Sequence, residues 1–155
     1  QIFAGDELLF RSADLSQGHG GLRIDFPGGW AGDAVDLFDP AQRKGAAAEL
    51  YEHTSRLFNW RKTKPVIHSG RTLHFAARDN TYAYFRYDDT DAVFVFVNNS
   101  RGRKAVPWSH YAEIAQSLSV QGHDVLTGEQ VTVSDSTFVP ARSALVVEFR
   151  RNGRK

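Results

Sequence analysis

The sequence predicts an α+β chain in which a short strand, a long loop and one helix precede an all-β antiparallel domain. Apolar residues recur at helical spacing between Asp39 and Thr63. After Pro65 the pattern changes to short alternating segments separated by turn signals, which is typical of a sandwich of the Greek-key type. Pro65 therefore lies near the predicted boundary between a first domain, residues 1–64, and a second domain, residues 65–155.

The first element is a short apolar segment, residues 1–4, which indicates a strand that ends at Gly5. Two adjacent carboxylates follow, Asp6 and Glu7, at the end of a strand where catalytic acids often lie. Side chains that are neighbours in sequence usually point apart along an extended chain. We therefore expect one carboxylate to cap a turn and the other to form an ion pair.

A long loop over residues 8–38 separates this strand from the helix, and its residues 19–30 read HGGLRIDFPGGW. A loop so much longer than a usual βα connection is functional or disordered. Ligands of α/β folds bind at the carboxyl ends of strands, so the position of the loop favours a binding role. Trp30 either faces a ligand or fills the bend that Pro27 and the glycines make, and we expect the second arrangement, a loop anchor.

A capping signature begins the one long helix. Asp39 is a good N-cap, Pro40 suits the first turn, and Gln42 stands at the capping-box position. The residues that follow form one apolar stripe, which needs a partner surface: Ala47, Leu50, Tyr51, Thr54, Leu57 and Phe58. We expect Leu57 and Phe58 to be buried, so that Leu57→Ala costs about 2–5 kcal/mol.

Six segments of the second region have the pattern of strands: residues 71–76, 81–87, 92–97, 123–126, 130–133 and 144–149. The third is apolar on both faces, which predicts a central strand covered on each side. Residues 107–120 have helical spacing but are few, so a helix and an irregular edge both stay open. The acidic run 88–91 favours a hairpin turn over a cation site.

Composition excludes several classes of function. Hydrophobic residues make up 41% and charged residues 24%, as in ordinary globular proteins, and a net charge of +1 argues against a nucleic-acid partner. No apolar run is long enough to span a membrane. Cysteine is absent and the six histidines lack ligand spacing, so we expect no disulfide, no metal and no cofactor. Asn98 opens a glycosylation sequon, which is a weak pattern.

Three stretches resemble the last part of the α-amylase family of glycoside hydrolases, above all its cyclomaltodextrinase and neopullulanase branch: residues 1–7, QIFAGDE; residues 23–30, RIDFPGGW; and residues 59–62, NWRK. The resemblance implies that the first domain is the last βα unit of a (β/α)8 barrel and that a C-terminal β-sandwich follows it. It also implies that the chain begins at the eighth barrel strand. Ala4 departs from the pattern, since many relatives carry an aromatic residue there.

In the resembling family the catalytic carboxylates come from earlier barrel strands, so no residue of this chain is assigned a catalytic role. The resemblance therefore implies part of an enzyme for α-1,4-glucans, either maltodextrins or cyclomaltodextrins, that is not catalytic alone. It places Arg23 and Asp25 near the barrel mouth, where they and Trp30 are expected to bind substrate. An ion pair between Arg23 and Asp25 that stabilises the loop is an equally supported alternative to substrate binding.

The partner implied by the resemblance is an α-glucan reached through the barrel. The oligomeric state is left open, and so is the compartment, bacterial periplasm or cytoplasm. The alternative from another class is a free-standing carbohydrate-binding or interaction β-domain with a helical extension. Exposed coplanar aromatic rings on the β-domain would favour that alternative, and buried ones would count against it.

Overall fold

The computed structural model describes the following parts of the chain: residues 2–12, 14, 16, 18–21, 24–134 and 137–152. The chain divides into two compact units, Gln1–Trp60 and Arg61–Lys155. The first unit is helical and the second contains an antiparallel sheet, so the α+β class is confirmed. Within the described residues, no helix has the length and apolar character needed to cross a membrane.

The first unit includes the 3-10 turns Asp6–Leu8 and Pro40–Gln42 and most of helix α1, Gly45–Lys62. The strand predicted for residues 1–4 is wrong over the part that the structure describes, which is irregular and then turns. A strand requires a neighbour that supplies hydrogen-bond partners. Among the described residues of this unit, no segment pairs with it.

Helix α1 confirms the predicted helix, although it begins at Gly45 rather than directly after Asp39. The Asp39 carboxylate caps the preceding 3-10 turn instead, where it accepts the N–H of Ala41 at 2.9 Å. Its second oxygen accepts a hydrogen bond from the Gln42 amide at 3.3 Å. The capping residues were therefore recognised correctly, but they serve a separate turn.

The burial predicted for the stripe of α1 is wrong. Leu57 is only partly buried, Phe58 is 48% exposed, and no residue of the helix is buried. Helical spacing decides which side chains share a face, but burial also requires a surface opposite that face. Leu57→Ala is therefore expected to cost less than a core truncation does.

The second unit is built from the following elements: α2 Pro65–Ser69, β1 Arg71–His74, β2 Thr81–Tyr87, β3 Asp91–Asn98, β4 Lys104–Ala105, a 3-10 turn Trp108–Tyr111, α3 Ala112–Ala115, β5 Gln121–Asp124, β6 Gln130–Thr132, β7 Phe138–Val139 and β8 Ser143–Arg150. All six predicted strands are present, β2 with the predicted ends and the other five with shifted ends. The two-residue strands β4 and β7 and the short helix α2 were not predicted. The segment 107–120, left open above, contains the 3-10 turn and α3.

The six-stranded sheet has the order β1-β2-β3-β8-β5-β6 and is antiparallel throughout. Strands β4 and β7 pair separately as a two-stranded ribbon. The prediction of a central strand is confirmed, because Phe94 of β3 lies between Phe85 of β2 and Val147 of β8. The prediction of a sandwich of two facing sheets is confirmed only in part. Opposite the main sheet, the core is completed by the two-stranded ribbon and the short helical segment.

One aromatic cluster forms the centre of this core. Phe94 is fully buried, and its ring centroid lies 4.6 Å from that of Phe85 and 4.8 Å from that of Trp108. Tyr111 and Ile114 of the helical segment join the same cluster, so the helical spacing seen in the sequence is the face that packs on the sheet. Tilted and edge-on rings at such distances are the favoured geometries of aromatic packing.

A buried polar side chain holds the end of β3. Asn98 is 1% exposed, and its Nδ2 donates to the carbonyls of Gly102, Val139 and Pro140 at 2.7–3.1 Å. Its Oδ1 accepts from the N–H of Ser100 at 3.0 Å. The amide of the sequon is therefore committed to internal hydrogen bonds that tie β3 to β7, which is a structural role.

Candidate functional site

The loop singled out in the sequence has a fixed base. The N–H of Leu37 donates to the carbonyl of Pro27 at 3.0 Å. Gly28 has φ +112°, and a Cβ at this position would lie 2.7 Å from the Cα of Asp36, so only glycine fits. Arg43 stabilises the segment that pairs with Pro27, because its Nε donates to the carbonyl of Leu37 at 2.8 Å.

Aromatic rings fill the space beneath that base. The Phe26 ring lies between those of Phe10 and Phe38, with centroids 5.7 Å and 4.7 Å away. Phe26 therefore takes the anchoring position that the sequence analysis expected of Trp30. Phe38 is still 61% exposed, so this cluster is a partial cover rather than a closed core.

Trp30 lies at the tip of the loop. Its N–H donates to the Oδ2 of Asp33 at 3.1 Å, and its carbonyl accepts from the N–H of Asp33 at 3.3 Å, which closes a tight turn. The side chain of Trp30 is 82% exposed, so the expectation of a loop anchor is wrong. Glycines with positive φ, Gly29 and Gly32, flank this turn, and the indole is open to solvent.

The other two predicted binding residues have separate outcomes. Asp25 lies in the irregular segment before Phe26 and is exposed. Arg23 lies outside the described residues, and with it the proposed Arg23–Asp25 pair. The loop thus places an exposed carboxylate and an exposed indole in one segment, on a base that is held by hydrogen bonds.

Asp6 and Glu7 make local contacts. The Asp6 carboxylate accepts the N–H of Phe3 at 3.0 Å, and the Glu7 carboxylate accepts the N–H of Gly5 at 3.0 Å. Both acids therefore stabilise the turn that begins the first unit. The turn cap was expected of one of them, and no described cation pairs with either in an ion pair.

The second unit contains a cleft of about 670 Å³ beside β3, β5 and β8. Ion pairs lie along its lining, with Lys64 Nζ 2.5 Å from Glu148 Oε1 and Arg150 Nη1 2.8 Å from Asp91 Oδ1. Pairs of this kind neutralise the carboxylates and join neighbouring elements. The acidic run is a hairpin turn between β2 and β3, as predicted, and no group of three or more metal-ligating side chains occurs in the described part of the chain.

The aromatic residues of the second unit bear on the alternative of a carbohydrate-binding domain. Most large rings of this unit are buried in the core. On the opposite face of the sheet the rings of Tyr82 and Tyr84 lie 5.9 Å apart and are tilted by 36°, so they do not form a flat platform. Only Tyr82 of the two is exposed, at 37%. The exposed coplanar rings that would favour that alternative are therefore not found at Tyr82 and Tyr84, although not every ring of this unit is buried.

A smaller pocket of the second unit, lined in part by Phe75, His110 and Tyr111, was not predicted from the sequence. These residues come from segments more than thirty positions apart along the chain, so no local spacing joins them. From the sequence, Tyr111 was recognised only as one of several apolar residues at helical spacing within residues 107–120. A pocket assembled by tertiary packing of this kind has no motif.

Comparison with solved structures identifies the class of domain to which this fold belongs. The chain is similar to the protein AmyP crystallised with maltotriose, with a TM-score of 0.58 and 17% identity over 72% of this chain. It is similar to a maltogenic amylase from S. marinus, with a TM-score of 0.57 and 14% identity over 95% of this chain. A third likeness is to the cyclic α-maltosyl-(1→6)-maltose hydrolase from Arthrobacter globiformis, with a TM-score of 0.54 and 13% identity over 95% of this chain.

These likenesses cover small parts of the other proteins, at 22%, 16% and 26% of their chains in the same order. At these identities the likenesses show a shared fold, a helical segment followed by an antiparallel β domain. The sequence family is more particular. Residues 72–148 match the model of the Cyclo-malto-dextrinase C-terminal domain, which confirms the resemblance in the sequence.

Proposed function

We propose that this chain is the C-terminal part of an α-amylase-family glycoside hydrolase that acts on α-1,4-glucans, either maltodextrins or cyclomaltodextrins. The family match of residues 72–148 is the observation that carries the proposal. Similar structures support it, since AmyP was crystallised with maltotriose and with maltose. In this proposal residues 1–64 are the last βα unit of a (β/α)8 barrel and residues 65–155 are the C-terminal β-sandwich domain.

The uncovered side chains of the first unit support the barrel assignment. Helix α1 carries an apolar stripe but buries no residue, and Ile2, within the segment predicted as a strand, is 46% exposed. In a (β/α)8 barrel each helix packs on the outside of the sheet and each strand pairs on both sides. The proposal thus gives both of these surfaces a partner within the same enzyme.

Glycoside hydrolysis requires two carboxyl groups held at a set separation across the sugar. In the proposed enzyme this chain supplies neither, and it contributes to substrate binding through Arg23, Asp25 and Trp30. The exposed indole at the tip of a fixed loop supports the role of Trp30, because aromatic faces stack on the apolar faces of sugar rings. A carboxylate and a guanidinium suit sugar hydroxyls, which both donate and accept hydrogen bonds.

Two assays test the proposal. The purified 155-residue chain should release no reducing sugar from maltodextrin or a cyclodextrin above a buffer control, and release above that control would overturn the statement that it is not catalytic alone. The longer protein that carries this chain should hydrolyse these α-glucans. A longer protein inactive on every α-1,4-glucan tested, although folded, would overturn the assignment of the enzyme.

The same longer protein tests Trp30. Trp30→Ala should weaken maltodextrin binding and leave the melting temperature little changed, because the indole is exposed. Phe138→Ala is the control, because Phe138 is an exposed aromatic residue of the second unit, outside the loop and α1. Unchanged affinity in Trp30→Ala, or an equal loss in the control, would remove Trp30 from the site.

A further inference from the structure

A pocket of about 300 Å³ lies in the second unit, where the segment after β1 and the β1–β2 turn face the ribbon and the 3-10 turn. Its walls are largely apolar and aromatic, and charged side chains stand among the lining residues. The members that matter for binding are Phe75, His110, Tyr111, Arg78, Asp79 and Lys104. A pocket with apolar walls and a few convergent polar groups is typical of a small-molecule site.

Tyr111 is the unusual member of this set. The residue is 4% exposed, and burial raises the pKa of its hydroxyl to about 12. Among the described residues none forms a hydrogen bond with that hydroxyl, although the oxygen is not sealed from solvent. A buried tyrosine hydroxyl usually has a hydrogen-bond partner. Its hydrogen-bond partner is therefore either solvent or a polar group of a molecule that enters the pocket.

The ring of Tyr111 cannot easily move to find another partner. Its centroid lies 4.7 Å from that of Phe75 and 5.4 Å from that of Phe94. His110 adds a second ring to the pocket wall, 5.8 Å from Phe75. The hydroxyl is therefore held in place by packing, and the site is preorganised for a ligand with a flat apolar face.

The charged members decide between classes of ligand. Arg78 and Lys104 donate hydrogen bonds, Asp79 accepts them, and Tyr111 does both. An inorganic anion offers acceptors only, so the carboxylate of Asp79 would oppose it. A pyranose ring offers hydroxyls that donate and accept, and an apolar face of C–H groups that packs on aromatic rings.

We propose that this pocket binds one glucosyl unit of an α-glucan chain, with the sugar face against Phe75 and His110 and a sugar hydroxyl bonded to the hydroxyl of Tyr111. The identity of the sugar rests on the proposed function, whereas the pocket and its unpaired hydroxyl do not. The second unit then has its own binding site for a glucan chain.

The experiment is a titration of the ¹⁵N-labelled 155-residue chain with maltose, followed by amide chemical shifts. Maltose should give saturable shifts in residues 75–81 and 104–111. Tyr111→Phe removes only the hydroxyl and should weaken binding by roughly 2–10-fold, the range that one neutral hydrogen bond gives. Asp79→Asn should also weaken binding, and the left-handed backbone of this position, φ 51°, suits asparagine.

Tyr82→Phe is the matched control, since this exposed tyrosine lies on β2 outside the pocket lining, and it should leave maltose affinity unchanged. Absence of saturable shifts at millimolar maltose would overturn the proposal, as would affinity unaltered by Tyr111→Phe. Inorganic phosphate that shifts these residues where maltose does not would also overturn it. None of these failures touches the hydrolase assignment, which the reducing-sugar assay of the longer protein tests separately.

Discussion

The two units place their apolar side chains in opposite ways. Of the buried hydrophobic residues described, the first unit contributes only Leu8, whereas the second contributes seventeen. The first unit instead exposes eight large hydrophobic side chains, against four in the second. The eight are Ile2, Phe3, Leu9, Ile24, Trp30, Val35, Phe38 and Phe58.

This difference separates local structure from burial. The first unit has a long helix, capped turns and a loop closed by hydrogen bonds, all of which depend on residues close in sequence. The second unit joins strands from distant parts of the chain around one core. Most helical stability in proteins comes from packing of the apolar face rather than from propensity. We therefore expect the two units to respond differently to the same kind of mutation.

The largest expected effect is truncation of the core. Phe94→Ala should lower the free energy of unfolding by about 3–5 kcal/mol, because the fully buried ring leaves a cavity among Phe85, Trp108 and Tyr111. Phe58→Ala, the same change on half-exposed α1, should stay within about 0.5 kcal/mol. Urea unfolding followed by far-UV circular dichroism compares them.

Phe94→Leu provides a milder change if Phe94→Ala does not fold, and it should shift the unfolding midpoint in the same direction. Equal losses for Phe58→Ala and the Phe94 variants would contradict the comparison, because they would mean that α1 is packed as tightly as β3.

The second effect concerns a buried amide. Asn98→Ala should cost about 1–3 kcal/mol, because it leaves the carbonyls of Gly102, Val139 and Pro140 without their donor. Asn59→Ala on exposed α1 is the matched control, and it should have little effect, since alanine is the better helix former. Thermal unfolding measures both. A melting temperature unchanged by Asn98→Ala would mean that water replaces the amide.

The third effect should be confined to the first unit. Gly28→Ala introduces a Cβ within 2.7 Å of the Cα of Asp36 and should open the base of the loop. Gly32→Ala, at φ +101° but with open space around it, should disturb the loop less. Limited proteolysis should cut Gly28→Ala faster within residues 24–44, while the unfolding midpoint of the second unit stays constant. A lower midpoint would show that the units are coupled.

The fourth and smallest effect depends on pH. Burial acts to raise the pKa of Asp88, but hydrogen bonds from the N–H groups of Thr90 and Asp91 outweigh it, so the pKa is lowered from 3.8. A carboxyl group with a lowered folded pKa stabilises the fold above its unfolded pKa, and this stabilisation is lost as the pH falls through the folded value. Asp88→Asn should therefore be less stable than the wild type at neutral pH.

That deficit should vanish in acid, below the lowered pKa of Asp88. Asp89→Asn is the control at the neighbouring position, where an exposed ion pair with Arg71 contributes little. Urea midpoints recorded from pH 7 down to the acid range test both variants. A deficit for Asp88→Asn that does not change with pH would assign the role of this side chain to shape rather than to charge.

The sequence predicted correctly those parts of the fold that depend on residues close together in the chain. Alternation predicted β2, β3 and β8, and the apolar run of β3 predicted its central place. Asp39 was recognised as a cap, although the turn it caps is separate from α1. The exposure of Phe58 could not be predicted from the sequence. Helical spacing shows which side chains share a face of the helix, but it does not show whether another surface covers that face.

The same limit applies to the candidate site. The motif predicted a loop with Trp30, but Phe26 rather than Trp30 fills the space beneath it. Which ring of the two turns inward depends on packing against Phe10 and Phe38, and the motif at residues 23–30 contains neither of them. The pocket around Tyr111 had no signal in the sequence at all, because packing between distant segments creates it.

Amide hydrogen exchange of the 155-residue chain tests the central claim, that the second unit is a self-contained domain and the first unit depends on a partner surface. Exchange reports the free energy of local opening residue by residue. We expect slow exchange in β2, β3 and β8, and fast exchange throughout the described residues of the first unit, including residues 45–60 of α1. Protection of those α1 amides equal to that of β3 would contradict the account.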